Sequence, residues 1–259
     1  MARQPKVGGW VFPNGAAGGW LPDTPDYRDK LFRGAKPAKA ITDRVALQEE
    51  FLPPIRDQLD LGACTGHAIR TCSFYKLRQK GEVFRRPGYD LSPLFAYYRA
   101  RELEDSVQED SGAYIRDVVK GAFKSGIATE ASWPYDVSKF ARKPSVTADK
   151  TGTWHQLKGT YRRCLNVDDA LQSLAHDLPV IGGFSVFSNM FDAPNGHVPL
   201  PDGRLEGGHA IAFVAGDPAT RELKFQNSWG DWGDGGYGYL PFAFIEQGLA
   251  DDLWSVEHE

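Results

Sequence analysis

The sequence predicts an α+β fold of two lobes with a cleft between them. Residues from about 53 to 150 follow helical periodicity, whereas residues after 150 fall mostly into apolar runs of strand length. A helical half followed by a β half is the α+β pattern, and 259 residues suffice for two lobes that share a cleft.

Residues 64–80 carry Ala68, Cys72 and Tyr75 on one face, with Gly81 placed to end the helix. Ser92-Pro93 supplies an N-cap followed by proline at the first helical position, with Leu94, Tyr97, Tyr98 and Arg101 at helical spacing behind it. A third helix buries Ile115, Val118, Val119, Ala122 and Phe123 and stops at Gly126. In the second half, Asn166 caps a helix from about 167 to 177 that buries Val167, Ala170, Leu171 and Leu174. Val180–Phe187 and His209–Ala215 read as strands, the latter beginning after two glycines. Gly216-Asp217-Pro218 turns the chain, and Leu223, Phe225 and Asn227 then alternate with Lys224, Gln226 and Ser228. Residues 1–52 hold turn formers without a sustained period, and Trp10, Phe12, Trp20 and Tyr27 suggest a segment that docks on the body. We delimit an N-terminal extension at 1–42 and a folded domain at 43–259, with the helical lobe at about 53–150 and the β lobe at about 151–245.

The composition is that of a globular protein: 41% apolar, 25% charged, with 28 Gly and 17 Pro that favour turns over a helical bundle. A net charge of −4 without runs of one sign gives no footprint for nucleic acid or an anionic membrane. The pairs Arg85-Arg86 and Arg162-Arg163 are too short to make a patch. No apolar stretch approaches the roughly 20 residues that span a bilayer. The first residues carry positive charge without an apolar core behind it, so a Sec-type signal is not expected. A cytoplasmic protein or one exported by another route fits equally.

Three cysteines, Cys64, Cys72 and Cys164, argue against a disulfide scaffold. Cys64 and Cys72 share a helix and stand about 12 Å apart, beyond disulfide reach. Any bridge therefore uses Cys164 and leaves one thiol free for chemistry.

Cys64 follows a Gly-containing turn, Gln58-Leu-Asp-Leu-Gly-Ala-Cys-Thr-Gly-His67, that leads into a helix. The unpaired N–H groups and partial positive charge of a helix start favour a thiolate, the nucleophilic form. A small buried hydrophobe at the same place is an equal alternative on local sequence alone. His209 stands between Gly207-Gly208 and the apolar Ala210–Val214. Asn227 precedes Ser228-Trp229-Gly230; its amide oxygen suits an imidazole N–H, with Trp229 as a water shield. His67 shares a helix face with Cys64, and a packing role is favoured over a metal site. No convincing ligand set joins it with His155, His176 or His197, and neither metal nor cofactor is expected.

Together these segments resemble the papain-like cysteine peptidases, in a bacterial-type form. Gln58…Gly62-Ala63-Cys64, Gly208-His209-Ala210 and Asn227-Ser228-Trp229-Gly230 match that family's three active-site segments. The histidine lies 145 residues after the cysteine and the asparagine 18 further on. Leu91-Ser92-Pro93, Trp133-Pro134-Tyr135 and Pro179–Val186 add weaker matches over about 43–245. The resemblance implies the papain-like two-lobed fold, a Cys64 nucleophile, His209 as general base and acid, and Asn227 orienting His209. It further implies an oxyanion hole of Gln58 and the Cys64 backbone N–H, with a peptide or protein as substrate. Leu59, Leu61 and Thr65 depart from the family's usual glycine, cysteine and aromatic residue. Leu59 is expected to avoid the positive φ that glycine tolerates. Loss of the cysteine fits a reducing compartment or a bacterial member, as does Pro25-Asp26-Tyr27-Arg28-Asp29.

An acyltransferase or amidase using the same thiol, or an inactive peptidase-like binding protein, are the competing readings; the full Cys/His/Asn/Gln set weighs against the last. The extension at 1–42 is expected either to cross the cleft in cis as a zymogen segment or to wrap the body structurally. The loop at 188–206 lies where it can narrow the cleft.

Overall fold

A computed structural model describes residues 10–12, 15, 17–32, 40–83 and 88–259. The extension contributes β1 (Trp10–Val11), β2 (Ala17–Gly18) and β3 (Trp20–Leu21), and β4 (Val45–Ala46) follows. The helical half holds α1 (Cys64–Gln79), α2 (Pro93–Leu103), β5 (Ala113–Tyr114), α3 (Ile115–Lys124) and α4 (Val146–Trp154). The second half holds β6 (Tyr161–Cys164), α5 (Val167–Ala175), β7 (Val180–Phe187) and β8 (Leu205–Asp217). It ends with β9 (Glu222–Gln226), β10 (Tyr237–Pro241) and β11 (Ala250–Val256). This is the expected α+β architecture.

Local signals account for most helix ends. The Ser92 hydroxyl accepts from Phe95 N at 3.1 Å, and the Asn166 side chain accepts from Asp169 N at 2.9 Å. Each such cap is worth about 1 kcal/mol. Gly81 and Gly126 take left-handed φ values of 78° and 69° just past α1 and α3. Helix α1 is buried from Cys64 through Leu77, so it is the central post rather than a half-exposed helix. Gly66 permits this: a Cβ there would stand 2.4 Å from Pro93 O at the start of α2.

The main sheet runs β10-β9-β8-β7-β11-β6, with β4 also on β8, and every pair is antiparallel. β8 starts at Leu205, four residues before the expected start at His209, because pairing with β7 continues through Gly208 and Gly207 to Leu205. Glycines carry no apolar pattern, so periodicity cannot register them as strand. β11 also escapes periodicity: a bulge between Asp251 and Trp254 breaks its alternation. One apolar cluster gathers α1, α2 and α3 with Ile181, Ala212 and Trp254; another lies between the sheet and α5. All three cysteines are buried and free. Among the described residues no helix is long and apolar enough to cross a membrane.

Candidate active site

The loop before α1 brings Gln58 and Cys64 together. Gln58 N donates to Ser228 O at 2.8 Å, and Ser228 Oγ donates to Gln58 Oε1 at 2.6 Å. That fixes the amide so that Gln58 Nε2 faces two carbonyls, Leu61 O at 2.9 Å and Ala17 O of the extension at 2.7 Å. Asp110 holds the turn from outside, accepting from Gly62 N at 3.0 Å and from Tyr97 Oη at 2.6 Å. Leu59 takes a φ of 56°, contrary to the expectation that a side chain excludes it. Its side chain is half exposed and meets no wall, and Asp57 Oδ1 accepts from its N–H at 2.8 Å.

On the facing sheet, Asn227 Oδ1 accepts from Ser228 N at 2.8 Å and lies 2.7 Å from His209 Nε2. An oxygen already accepting a backbone N–H makes His209 Nε2 the protonated nitrogen, which leaves Nδ1 without a proton in the neutral ring. The Trp229 ring stacks on the imidazole at 4.4 Å with an interplanar angle of 30°. Cys64, His209, Asn227, Gln58 and Trp229 are all buried.

The burial has an identifiable source. Phe12 of the extension packs on Trp229 and His209 at ring separations of 5.5 and 6.4 Å. Gly19 N donates to Gly208 O at 3.1 Å, and Gly19 O accepts from Ala113 N at 2.8 Å. Beyond it, β3 pairs parallel with β5. Gly19 runs so close to the loop before α1 that a Cβ there would stand 1.9 Å from Gly62 O. The backbone N–H groups of Ala210, Gly19 and Thr65 bear on the Cys64 sulfur. Of the extension's aromatic residues, Phe12 and Trp20 dock, whereas Tyr27 is 99% exposed and does not. The Trp10 side chain lies outside the described residues. Phe191, from the loop at 188–206, stacks on Trp229 at 6.1 Å and so closes one end of the site.

Burial reverses the expected ionisation of the thiol. Desolvation outweighs the three N–H donors and pushes Cys64 up to about 12. The same desolvation takes His209 down to about 4 despite its bond to Asn227. Both groups are therefore neutral near pH 7 while the extension lies over them. His67 packs edge-on against Tyr135 at 4.9 Å, and burial depresses its basicity. Asp110 and Tyr97 brace the turn but carry no sequence signal for that role: Tyr97 reads only as a helical-spacing position of α2, and Asp110 belongs to no motif. Ser228 was visible within Asn-Ser-Trp-Gly, but its grip on Gln58 was not.

No family model matches the chain. An uncharacterised peptidase C1-like protein of Acanthamoeba polyphaga mimivirus is 32% identical over 217 residues, covering 78% of this chain and 68% of the viral one. A cathepsin B-like protein of Giardia intestinalis, CP3, is 26% identical over 79% of this chain and 71% of its own length. Among solved structures, xylellain, a cysteine protease from Xylella fastidiosa, superposes with a TM-score of 0.83 at 30% identity, covering 100% of this chain and 99% of its own. A procathepsin B from Trypanosoma congolense shares the fold at a TM-score of 0.72 and 17% identity, over 95% and 87% of the two chains.

Proposed function

Because the chain belongs to the papain-like cysteine peptidase family, we propose that this hydrolase cleaves peptide bonds through a thioester on Cys64, with the N-terminal extension acting as a restraint in cis. His209 Nδ1 takes the Cys64 proton, and the sulfur attacks the scissile carbonyl carbon. The developing oxyanion is held by Gln58 Nε2–H and the Cys64 backbone N–H. The C–N bond then breaks, the amine leaves with the proton held by His209, and a thioester remains. Water attacks the thioester as His209 accepts its proton; the acid departs and the thiolate is restored. Asn227 keeps the imidazole in the tautomer this cycle requires, and Trp229 keeps water from their bond.

The observation that carries this reading is the 2.7 Å hydrogen bond from Gln58 Nε2 to Ala17 O, a carbonyl held beside Cys64 by the donor assigned to the oxyanion. Further along, Arg116 grips the extension through a two-pronged ion pair with Asp29, at 3.0 and 2.7 Å, and donates to Thr24 O at 2.8 Å.

Labelling with a thiol-directed epoxide, peptide mapping and a peptide-hydrolysis assay test the proposal together. With the extension displaced by Gly19→Ala, whose Cβ would meet Gly62 O at 1.9 Å, label on Cys64 and loss of hydrolysis on adding Cys64→Ala are expected. Label on Cys72 or Cys164 with Cys64 untouched overturns the assignment.

A further inference from the structure

We propose that His67 is a positioning residue for the reaction: through one water held between α1 and the sheet, it binds the amide nitrogen of Asn227 and so fixes the amide whose oxygen orients His209. The inference rests on the peptidase reading above and gives a task to a histidine whose sequence setting suggests only packing.

A cavity of about 10 Å³ lies between α1 and the sheet, lined by His67 of α1 and by Asn227 just past β9. That is about the space one water needs. Both side chains are buried, at 4% and 5% exposure. Neither ring nitrogen of His67 nor Nδ2 of Asn227 has a hydrogen-bond partner among the described residues. The other polar side chains around the cavity are already engaged. Thr71 Oγ1 donates to Gln226 Oε1 at 2.8 Å, and Gln226 Nε2 donates to Pro53 O at 2.8 Å. Arg56 and Arg70 both pair with Asp90, and Ser228 Oγ donates to Gln58 Oε1. Three nitrogens, from two residues, are thus left for one bridging group.

Water suits them. It accepts an N–H from Asn227 Nδ2 and donates to the unprotonated nitrogen of His67, a ring that burial and the charges of Arg70 and Arg56 keep neutral. Buried polar groups without a partner are costly, so a water that satisfies them is held as part of the structure. The consequence reaches His209. Asn227 receives Ser228 N and His209 Nε2 on the same oxygen, so rotation of the amide about Cβ–Cγ is restrained from one end only. A bond on Nδ2 restrains the other end, and the imidazole is then held at one angle to Cys64. Phenylalanine at position 67 would pack against Tyr135 as the imidazole does, and would offer Nδ2 nothing.

Two measurements test this. Kinetics are read in the full chain carrying Gly19→Ala, with kcat normalised to the Cys64 that takes a thiol label, so that a loss of folded protein does not count. His67→Phe should lower kcat about tenfold with KM within about twofold, the split expected of a group that acts on the transition state. His67→Gln, which restores a donor and an acceptor, should recover kcat to within about threefold of the chain with His67. Full kcat in His67→Phe, or an equal loss in both variants, overturns the proposal. The second measurement needs neither turnover nor substitution. In the unaltered chain the Asn227 Nδ2 protons should show a nuclear Overhauser effect to water with the sign of a long-lived bound molecule. Its absence overturns the proposal. Its presence, with no peptide hydrolysed by the Gly19→Ala chain, would sink the peptidase reading and leave the His67 bridge standing.

Discussion

The backbone N–H of Asp23 in the extension donates to the carboxylate of Asp252 in β11 at 2.7 Å, so docking brings two acidic side chains into one buried seat. Asp23 receives Trp254 Nε1 at 3.0 Å and Arg116 N at 3.2 Å. Desolvation, with the nearby Asp252 charge, still lifts it to about 6. A free aspartate titrates near 3.9. Below pH 4 both docked and free Asp23 carry the proton and docking bears no penalty. Between pH 4 and about 6 the free form ionises first and docking weakens; above about 6 the full penalty of about 3 kcal/mol applies. His209, lowered to about 4, acts in the opposite sense, since its protonation at low pH opposes docking. The difference between Asp23→Asn and the parent chain isolates the aspartate. Measured by amide exchange at Ala113, the variant should dock better than the parent by a margin that grows from pH 4 to 6 and then levels. A margin independent of pH counts against the assignment.

Displacing the extension should unmask the thiol. Gly19→Ala puts a methyl group where Gly62 O stands 1.9 Å away, and the backbone there has no room to yield. We expect iodoacetamide to label Cys64 in that variant at least about a hundredfold faster than in the parent chain at pH 7.5, as a thiol held near 12 returns toward the reactive range. Equal rates would show that another feature governs the thiol.

Gln58→Ala should lower kcat by about 10²–10³-fold with KM little changed, the signature of a donor used in the transition state. Steady-state kinetics in the Gly19→Ala background give that split. An effect confined to KM would remove Gln58 from the oxyanion role.

The most severe core lesion is expected at Arg70, whose buried guanidinium meets Asp90 through bonds of 2.7 and 2.5 Å. Arg70→Met leaves Asp90 with Arg56 at 2.8 Å as its remaining cation and should cost about 3 kcal/mol in denaturant unfolding. A loss under about 1 kcal/mol would mean that Arg56 compensates fully.

Leu59→Gly should have the opposite sign. A left-handed non-glycine residue carries about 1–2 kcal/mol of strain, against about 0.5–1 kcal/mol of extra chain entropy for glycine. With half of Leu59 exposed there is little packing to lose, so a gain below about 1 kcal/mol is expected in the same assay.

These cases show where the sequence was legible. Ser92, Asn166, Gly81 and Gly126 announced helix ends because caps and left-handed stops act through nearest neighbours. Cys64, His209, Asn227 and Gln58 stand out through the family resemblance of their segments, and the fold brings Gln58 to Ser228 and His209 to Asn227. The inward-turned Asp252 was hidden because a bulge erases alternation, and its partner Asp23 lies 229 residues away. The ionisation of Cys64 was misread for a related reason. A helix start is a local feature, whereas desolvation depends on what lies above it, here Gly19. Leu59 shows a third kind of miss: an unfavourable residue persists where the surrounding bonds hold it.

Gly19 is bonded to Ala113 and Gly208 and tied to the body by its own chain, so the proposed restraint is an intramolecular one. A tethered segment competes with substrate at an effective concentration in the millimolar range, whatever its intrinsic affinity. Cutting the tether does not abolish its contacts; it only makes its rebinding bimolecular. A nicked preparation should therefore stay silent when concentrated and gain activity on dilution, so that protein concentration, as much as the cut itself, sets the onset of proteolysis.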